Sequence, residues 1–572
     1  MLSNKNLKEI IKKYGIKVES AEMKMAEDNA REKGVSLAEM LVEKQLIDEE
    51  GLYKAAADFF NVKYVEIKNK EIKKETLDLI PAPLAGTHQV IAFEKDKDEV
   101  KLAMVDPSDI QTVEFLRRKT GLEPKVYITS PSELKTALRK YHAELEDDIN
   151  LQVLSESKDG KTDTKTLKKA AEELPVINIV NSVLEHAVFE GASDIHIEPA
   201  EKEVNIRYRV DGILKSVMTL PKTIQSGVIA RIKILSNLKL DEHMIPQDGR
   251  FKIQIAEERV AFRVSILPVY DGEKIVMRIL HEGAKPLSLE QLGFLEDAKK
   301  KVERAMKKPH GMILVTGPTG SGKTTTLYSI LGILNQPGVN ISTVEDPIEY
   351  RITGINQSQI NPKVGFTFAS GLRSLLRQDP NIIMVGEIRD QETAEIAIHS
   401  AMTGHLVLST LHTNDAPTTL PRLTDMGVPP FLIAYTANIV VAQRLARKIC
   451  EHCKKEYKLD ADASKELAKV FNVEKMEKLF KDNLKGDKDV ITFYQGEGCS
   501  RCGKTGYKGR VGIYEIMEVD EDIVHLINQK ADANIIKDKA RENGMLTMFE
   551  DGLLKAKLGM TTISEILRVT KE

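Results

Sequence analysis

The run Gly317, Pro318, Thr319, Gly320, Ser321, Gly322, Lys323, Thr324 constrains this chain more than any other feature. It fits the pattern G-x-x-x-x-G-K-[ST], and its flanks fit as well. Met312 to Thr316 is an apolar, β-rich stretch that reads as a buried strand, and from Lys323 onward apolar residues fall at helical spacing. In a turn between strand and helix, glycines let backbone N–H groups point inward around phosphate oxygens, and the helix N-terminus adds positive potential. Lys323 then reaches the β- and γ-phosphates and the Thr324 hydroxyl ligates Mg²⁺, with Thr325 beside it on the first helical turn. The segment predicts a nucleoside triphosphatase.

At 572 residues the chain is too long for one core, so three or four domains are expected. Its 83 basic and 86 acidic residues nearly cancel, which gives no support for nucleic-acid binding. No apolar run reaches the roughly 18–20 residues of a membrane span, and the stretch 431–442 is short and interrupted. The N-terminus is charged and lacks the apolar core of a signal peptide, so a cytoplasmic protein is expected, docked at a membrane by its partners.

Along the chain, Ser36-x-x-Glu39 forms a capping box ahead of Leu37, Met40 and Leu41 on one helical face, and a second helix is expected after Asp48. Residues 146–173 are polar, charged and poor in aromatics, as in a flexible linker. The next region is strand-rich. Val204, Ile206, Tyr208 and Val210 alternate with polar residues, and so do Val260, Phe262, Val264 and Ile266, which puts Arg263 on the opposite face; Gly212 and Gly249 are expected to mark turns. Beyond residue 290, apolar runs at 312–316, 341–344, 382–385 and 406–410, mostly separated by helical segments, indicate an α/β domain with a largely parallel sheet.

Each of these strands ends in polar groups, where open α/β sheets bind ligands. Glu345, Asp346 and Glu349 follow the second strand. Glu387, Arg389 and Asp390 follow the third in a Walker-B-like arrangement with glutamate in place of aspartate. A carboxylate at such a position holds Mg²⁺ through water or orients the attacking water. His405 and His412 bracket the next strand and are candidates for polarising the γ-phosphate.

These motifs resemble, in order, the Walker A (GPTGSGKT), Asp box (STVEDPIEY), Walker B (IIMVGEIRD) and His box (TGHLVLSTLHTND) of the type II/IV secretion superfamily, the ATPases of secretion and of type IV pilus assembly. Ala192 to Pro199, together with Arg207 to Gly212, is similar to the signature of the domain that precedes this core. The resemblance implies an α/β multidomain protein. A RecA-like P-loop ATPase core at 290–572 would follow a PAS-like α+β domain at 174–285, the linker at 146–173 and an N-terminal α+β partner-docking domain at 1–145. It implies a homohexamer, with nucleotide between the core and the preceding domain, and arginines closing over the γ-phosphate: Arg263 and Arg278 from that domain, Arg373 and Arg389 from the core. Glu345 resembles the general base and Glu387 the Mg²⁺-associated acid, although spacing alone leaves the two roles interchangeable.

The activity implied is ATP hydrolysis driving pilin polymerisation at the inner face of the plasma membrane, with partners in an inner-membrane platform protein and a cytoplasmic docking protein. The alternative is a type II secretion motor, and more remotely a DNA-translocating ring, which the near-neutral composition disfavours. In some members the N-terminal domain binds cyclic di-GMP through an Arg-Leu-Gly start and a terminal Gln. Here the start reads Gly34-Val-Ser-Leu and Asp58 stands near the Gln position, which argues against that ligand.

The four cysteines are Cys450, Cys453, Cys499 and Cys502, two C-x₂-C knuckles. Four thiolates suit tetrahedral Zn²⁺, and the length between the knuckles requires an insertion, so a structural zinc module is expected at about 447–512. The assembly-type members of the superfamily carry such a module.

Overall fold

The structure is a computed structural model that describes residues 2, 4–16, 18–33, 36–68, 70, 72–77, 79–80, 84–85, 88–138, 168, 174–255, 258–281, 286–459, 473–484 and 492–571. Apart from Lys168, the expected linker lies outside the described residues. The chain divides into two compact units, Met1–Leu280 and His281–Glu572.

In the first unit, Ser36 caps the helix Leu37–Glu43 through a full capping box with Glu39, and Asp48 caps Glu49–Phe60, both as expected. These helices share a core with a four-stranded sheet, β1 (Lys63–Tyr64), β2 (Val90–Lys95), β3 (Glu99–Met104) and β4 (Glu123–Ile128), in the order β1-β4-β3-β2. The helix Leu174–Phe189 then leads into β5 (Ala192–Pro199), β6 (Glu203–Val210), β7 (Ile213–Pro221), β8 (Gln247–Ile255), β9 (Glu258–Val269) and β10 (Gly272–His281), a second sheet ordered β7-β6-β5-β10-β9-β8. Val204, Ile206 and Tyr208 of β6 and Val260, Phe262, Val264 and Ile266 of β9 are buried, as the alternation requires. One core joins residues of this sheet to Leu102, Phe115 and Leu116 of the N-terminal module.

Gly212 marks the β6–β7 turn, with φ +84°. Gly249 does not mark a turn. It lies inside β8 opposite Val264, where a Cβ would stand 2.8 Å from the Ser236 carbonyl oxygen, so close approach of backbone requires the glycine.

The signature of this domain is a set of ion pairs across β6-β5-β10. Glu198 binds Arg207 at 2.7 Å and Lys274 at 2.8 Å, while Asp194 binds Arg278 at 3.0 Å and Arg209 at 3.5 Å. Burial raises the Glu198 pKa, but hydrogen bonds from Arg207 and Lys274 outweigh it and bring the value down to about 2.

The second unit is built on a sheet of β11 (Gly311–Thr316), β12 (Ile341–Glu345), β13 (Asn356–Gln359), β14 (Ile382–Val385), β15 (Leu406–Leu411), β16 (Ala437–Ile449) and β19 (Tyr507–Glu518), ordered β13-β12-β14-β15-β11-β16-β19. Neighbours from β13 to β16 pair in parallel; only β16 and β19 are antiparallel. β11, β14 and β15 are buried at every residue, because helices cover both faces, and this is why they read as continuous apolar runs. Between β16 and β19 the chain forms a two-stranded ribbon, β17 (Lys454–Lys458) with β18 (Thr492–Gly496), and the helix Val473–Asn483.

On β19, Glu515 is buried and accepts a hydrogen bond from the Ala416 amide at 2.9 Å. Burial, reinforced by Asp415, raises its pKa from 4.5 to about 7. An acid whose folded pKa is raised binds more protons folded than unfolded, so stability falls as pH rises from 4.5 to about 7, by about 3 kcal/mol. Glu515→Gln is therefore expected to raise the apparent melting temperature at pH 8 and to have little effect at pH 4.5 or below. Equal shifts at both pH values would contradict this.

Candidate nucleotide site and cysteine cluster

β11 ends at Thr316, whose hydroxyl accepts a hydrogen bond from the Thr413 amide at 2.9 Å and so ties its end to the segment after β15. The loop then turns through Gly317, Gly320 and Gly322 at φ +143°, +79° and +90°, a region that side chains disfavour. Gly322 caps the helix Lys323–Leu334, so the P-loop sits between strand and helix as expected. Gln443 on β16 holds the loop from beneath: its Nε2 donates to the Ser321 carbonyl and its Oε1 accepts from Thr326 Oγ1, both at 2.8 Å. The Ser321 hydroxyl is buried without a hydrogen-bond partner. Lys323 Nζ donates to the carbonyls of Gly317 and Pro318 at 2.8 and 3.1 Å, and burial lowers its pKa against the opposing charge of Glu387. Thr319 and Gly320 are exposed, and Thr324 and Thr325 half-buried. Positive-φ glycines, a lysine and the Thr324 hydroxyl on one first turn form a donor set that fits a nucleoside triphosphate with Mg²⁺.

Glu345 ends β12 and Glu387 follows the adjacent β14, and Gly386 lets these backbones approach: a Cβ there would lie 3.3 Å from the Glu345 Cα. The two carboxylates have different surroundings. Glu345 is 2% exposed and accepts from three neutral donors, Tyr328 Oη, Thr343 Oγ1 at 2.5 Å and Gln357 Nε2 at 3.1 Å. Burial raises its pKa in spite of these bonds. Glu387 is instead paired with Arg389 at 2.6 Å and with His412 Nε2 at 3.3 Å. Asp346 is exposed.

His412 thus stands at the carboxyl end of β15, beside Glu387. His405 does not share that location. It lies at the amino end of β15, bonded to the Ser400 carbonyl at 2.9 Å, six strand residues or about 20 Å from the loop end. Because β15 runs parallel to β11, its amino end, with His405, faces away from the P-loop. Arg373, on the helix Phe368–Leu375, pairs with Glu392 at 2.7 Å. In the other unit, Arg263 is exposed on β9 opposite Arg250, and Arg278 is paired with Asp194. Tyr328, Gln357 and Gln443 were not singled out by the sequence; each looks like an ordinary position in a helix or strand, and only the fold shows what its polar end touches.

The cysteine knuckles converge. All four sulfurs lie within 4.8 Å of one another, with Cys450–Cys499 and Cys453–Cys502 at 3.8 Å and Cys499–Cys502 at 3.7 Å. A tetrahedron of Zn–S bonds of about 2.3 Å has edges of about 3.8 Å. The amides of Cys499 and Gly506 donate to the Cys502 sulfur at 3.1 and 3.3 Å. Gly496 and Gly506 cross so closely that a Cβ on Gly496 would stand 2.0 Å from the Gly506 carbonyl oxygen. The donor set fits a four-thiolate zinc site.

A family model described as "Type II/IV secretion system protein" matches residues 169–568, and one described as "MshEN domain" matches 60–148. The type IV pilus assembly ATPase PilB of Pseudomonas aeruginosa is 39% identical over 555 residues, 96% of this chain and 95% of that one. The type II secretion system protein E of Xanthomonas campestris pv. campestris is 38% identical over 548 residues, 95% and 94% of the two chains. Among solved structures, the ATPase DotB of Yersinia pseudotuberculosis superimposes with a TM-score of 0.50 at 22% identity, covering 69% of this chain and 93% of that one, a likeness of fold alone.

Proposed function

This chain belongs to the type II/IV secretion system protein family, and we propose that it is the ATP-hydrolysing motor of type IV pilus assembly. The observation that carries the proposal is the near-full-length likeness to the pilus assembly ATPases of Pseudomonas aeruginosa and Myxococcus xanthus, each 39% identical over 555 residues. A second reading, the motor of type II secretion, is favoured by the comparable match to the Xanthomonas protein and by 43% identity over 449 residues to the type II secretion system ATPase E of Vibrio cholerae.

In this reading Lys323 and the loop amides bind the phosphates, and Thr324 would hold Mg²⁺, which neutralises charge on the β- and γ-oxygens. Glu345 takes the proton of the attacking water. Its support is chemical: it is held by neutral donors in a buried setting that favours a basic carboxylate, whereas Glu387 is gripped by a guanidinium and suits the metal side of the site. His412 orients Glu387. Arg263 and Arg278 act on the γ-phosphate in a homohexameric ring, with Arg373 and Arg389 completing the set. The four cysteines would hold Zn²⁺ in a structural role. No helix among the described residues is long and apolar enough to cross a membrane, which accords with a peripheral motor held at the inner membrane by a platform protein and a docking protein.

The test is a strain whose only copy of this gene carries Lys323→Ala. Loss of surface pili with an unchanged set of secreted proteins is expected. Normal pili with missing secreted proteins would replace the proposal with the type II reading, and no change in either would sink both.

A further inference from the structure

We propose that Tyr328 is a positioning residue for Glu345, holding its carboxylate so that one lone pair of Oε2 faces the reacting water. The inference rests on the reading of Glu345 as the base. Tyr328 sits on the P-loop helix, five residues past Lys323, with its side chain fully buried and its ring edge-on to Tyr350 at 4.7 Å. Its hydroxyl oxygen accepts from the Glu349 amide at 3.3 Å; Gln357 Nε2 lies equally near, but its two protons go to Glu345 Oε1 and the Tyr350 carbonyl, both at 3.1 Å. With that amide on the oxygen, the hydroxyl proton is left for the Glu345 carboxylate, and it goes to Oε2.

Counting acceptor positions gives the consequence. An ionised carboxylate has about two lone-pair sites on each oxygen. Oε1 receives Thr343 Oγ1 and Gln357 Nε2 and is full, while Oε2 receives Tyr328 alone. One site therefore remains, on an identified atom, and the tyrosine fixes where it points. Gln357 holds the arrangement from β13, since its Oε1 accepts from the Ile352 amide at 2.8 Å and its Nε2 reaches the Tyr350 carbonyl at 3.1 Å. The same helix carries Lys323 and Thr324 on its first turn. The P-loop and the base are thus joined through one side chain, and a shift of that helix moves the open lone pair relative to the phosphates.

The titratable groups facing Glu345 are Tyr328 from the P-loop helix and Glu349 and Tyr350 from the loop after β12. Glu349 adds negative charge, and the Tyr328 hydrogen bond favours the ionised form of Glu345. Removing that bond makes Glu345 harder to ionise, so the acid limb of the kcat–pH profile moves to higher pH.

The experiment uses the full-length chain, with phosphate release measured for wild type, Tyr328→Phe, Glu345→Gln and the double variant. Tyr328→Phe keeps the ring and its packing. Its kcat is expected to fall about 10–100-fold with KM for ATP within about twofold, and the acid limb to shift upward. In the Glu345→Gln background the same substitution should cost nothing further. An unmoved limb, or an equal loss in both backgrounds, overturns the positioning role and leaves the base assignment standing. If Glu345→Gln alone retains wild-type turnover, the base assignment fails whatever Tyr328→Phe does. Gln357→Met removes the second hold on the same carboxylate and is expected to move the limb in the same direction; should Tyr328→Phe not yield folded protein, a Gln357→Met limb that stays in place overturns the proposal.

Discussion

Lys323→Ala is expected to abolish ATP hydrolysis while leaving the fold and the metal content of the chain intact. The lysine heads the helix Lys323–Leu334, and alanine is a better helix former at that position, so the helix keeps its start. The hydrogen bonds lost are those from Nζ to the carbonyls of Gly317 and Pro318, both in the loop itself. The loop is held independently by Gln443 from β16 and by the glycine conformations of Gly317, Gly320 and Gly322, none of which involves the lysine side chain. What goes is the one cationic side chain of the loop, placed where charge builds on the β- and γ-phosphates. Removing a single group aimed at transition-state charge costs about 10²–10³ in turnover, and loss of a full charge beside a triphosphate belongs at or beyond the upper end. Phosphate release, zinc content and melting temperature measured on one preparation separate chemistry from folding. Turnover at the wild-type rate in the variant would mean that this loop is not the nucleotide site.

How legible the molecule was depends on which physical pattern each part follows. The parallel strands β11, β12, β14 and β15 were readable because both of their faces are covered, so their apolar residues run without interruption and their ends are marked by glycine and acid. The P-loop was readable because its geometry tolerates few residue types. Gly249 was misread because glycine serves two purposes, reversal of the chain and close approach of backbones, and in β8 it is the second that applies. His405 and His412 look equivalent in sequence, one at each end of the same strand. The parallel sheet makes them unequal, since only the carboxyl end of β15 meets the P-loop. Tyr328 was invisible for another reason. It occupies a buried position on a helix, and nothing local records that its hydroxyl meets a glutamate at the end of β12. The order of the six-stranded sheet, with β10 between β5 and β9, is likewise a matter of long-range pairing. Once it is seen, the motif from Ala192 to Pro199 becomes a set of cross-strand charge pairs.

Replacing Cys450 and Cys499 with serine is expected to remove about one zinc per chain and to unfold the region from β17 through β18. The ribbon has little else to stabilise it. β17 has no buried residue and β18 has one, Phe493, and a two-stranded ribbon is marginal without outside support. A four-thiolate zinc site supplies on the order of 10–16 kcal/mol, more than such a ribbon can replace by packing. The loss should extend further. Phe480 and Phe493 of this region share a core with Leu553, Leu554 and Ala556, and Lys557 donates to the Thr492 carbonyl at 3.1 Å, so the C-terminal helices lose part of their support when the ribbon opens. Limited proteolysis should cut first near the ribbon and then at the helix Met548–Lys557, and a strong chelator should reproduce the pattern in the wild-type protein. The competing reading is a redox pair, and sulfurs 3.7–3.8 Å apart stand well beyond the roughly 2.05 Å of a disulfide bond, while matching the edges of a zinc tetrahedron. A metal-free wild-type preparation that resists proteolysis as well as the zinc-loaded protein would show that the thiols act without zinc.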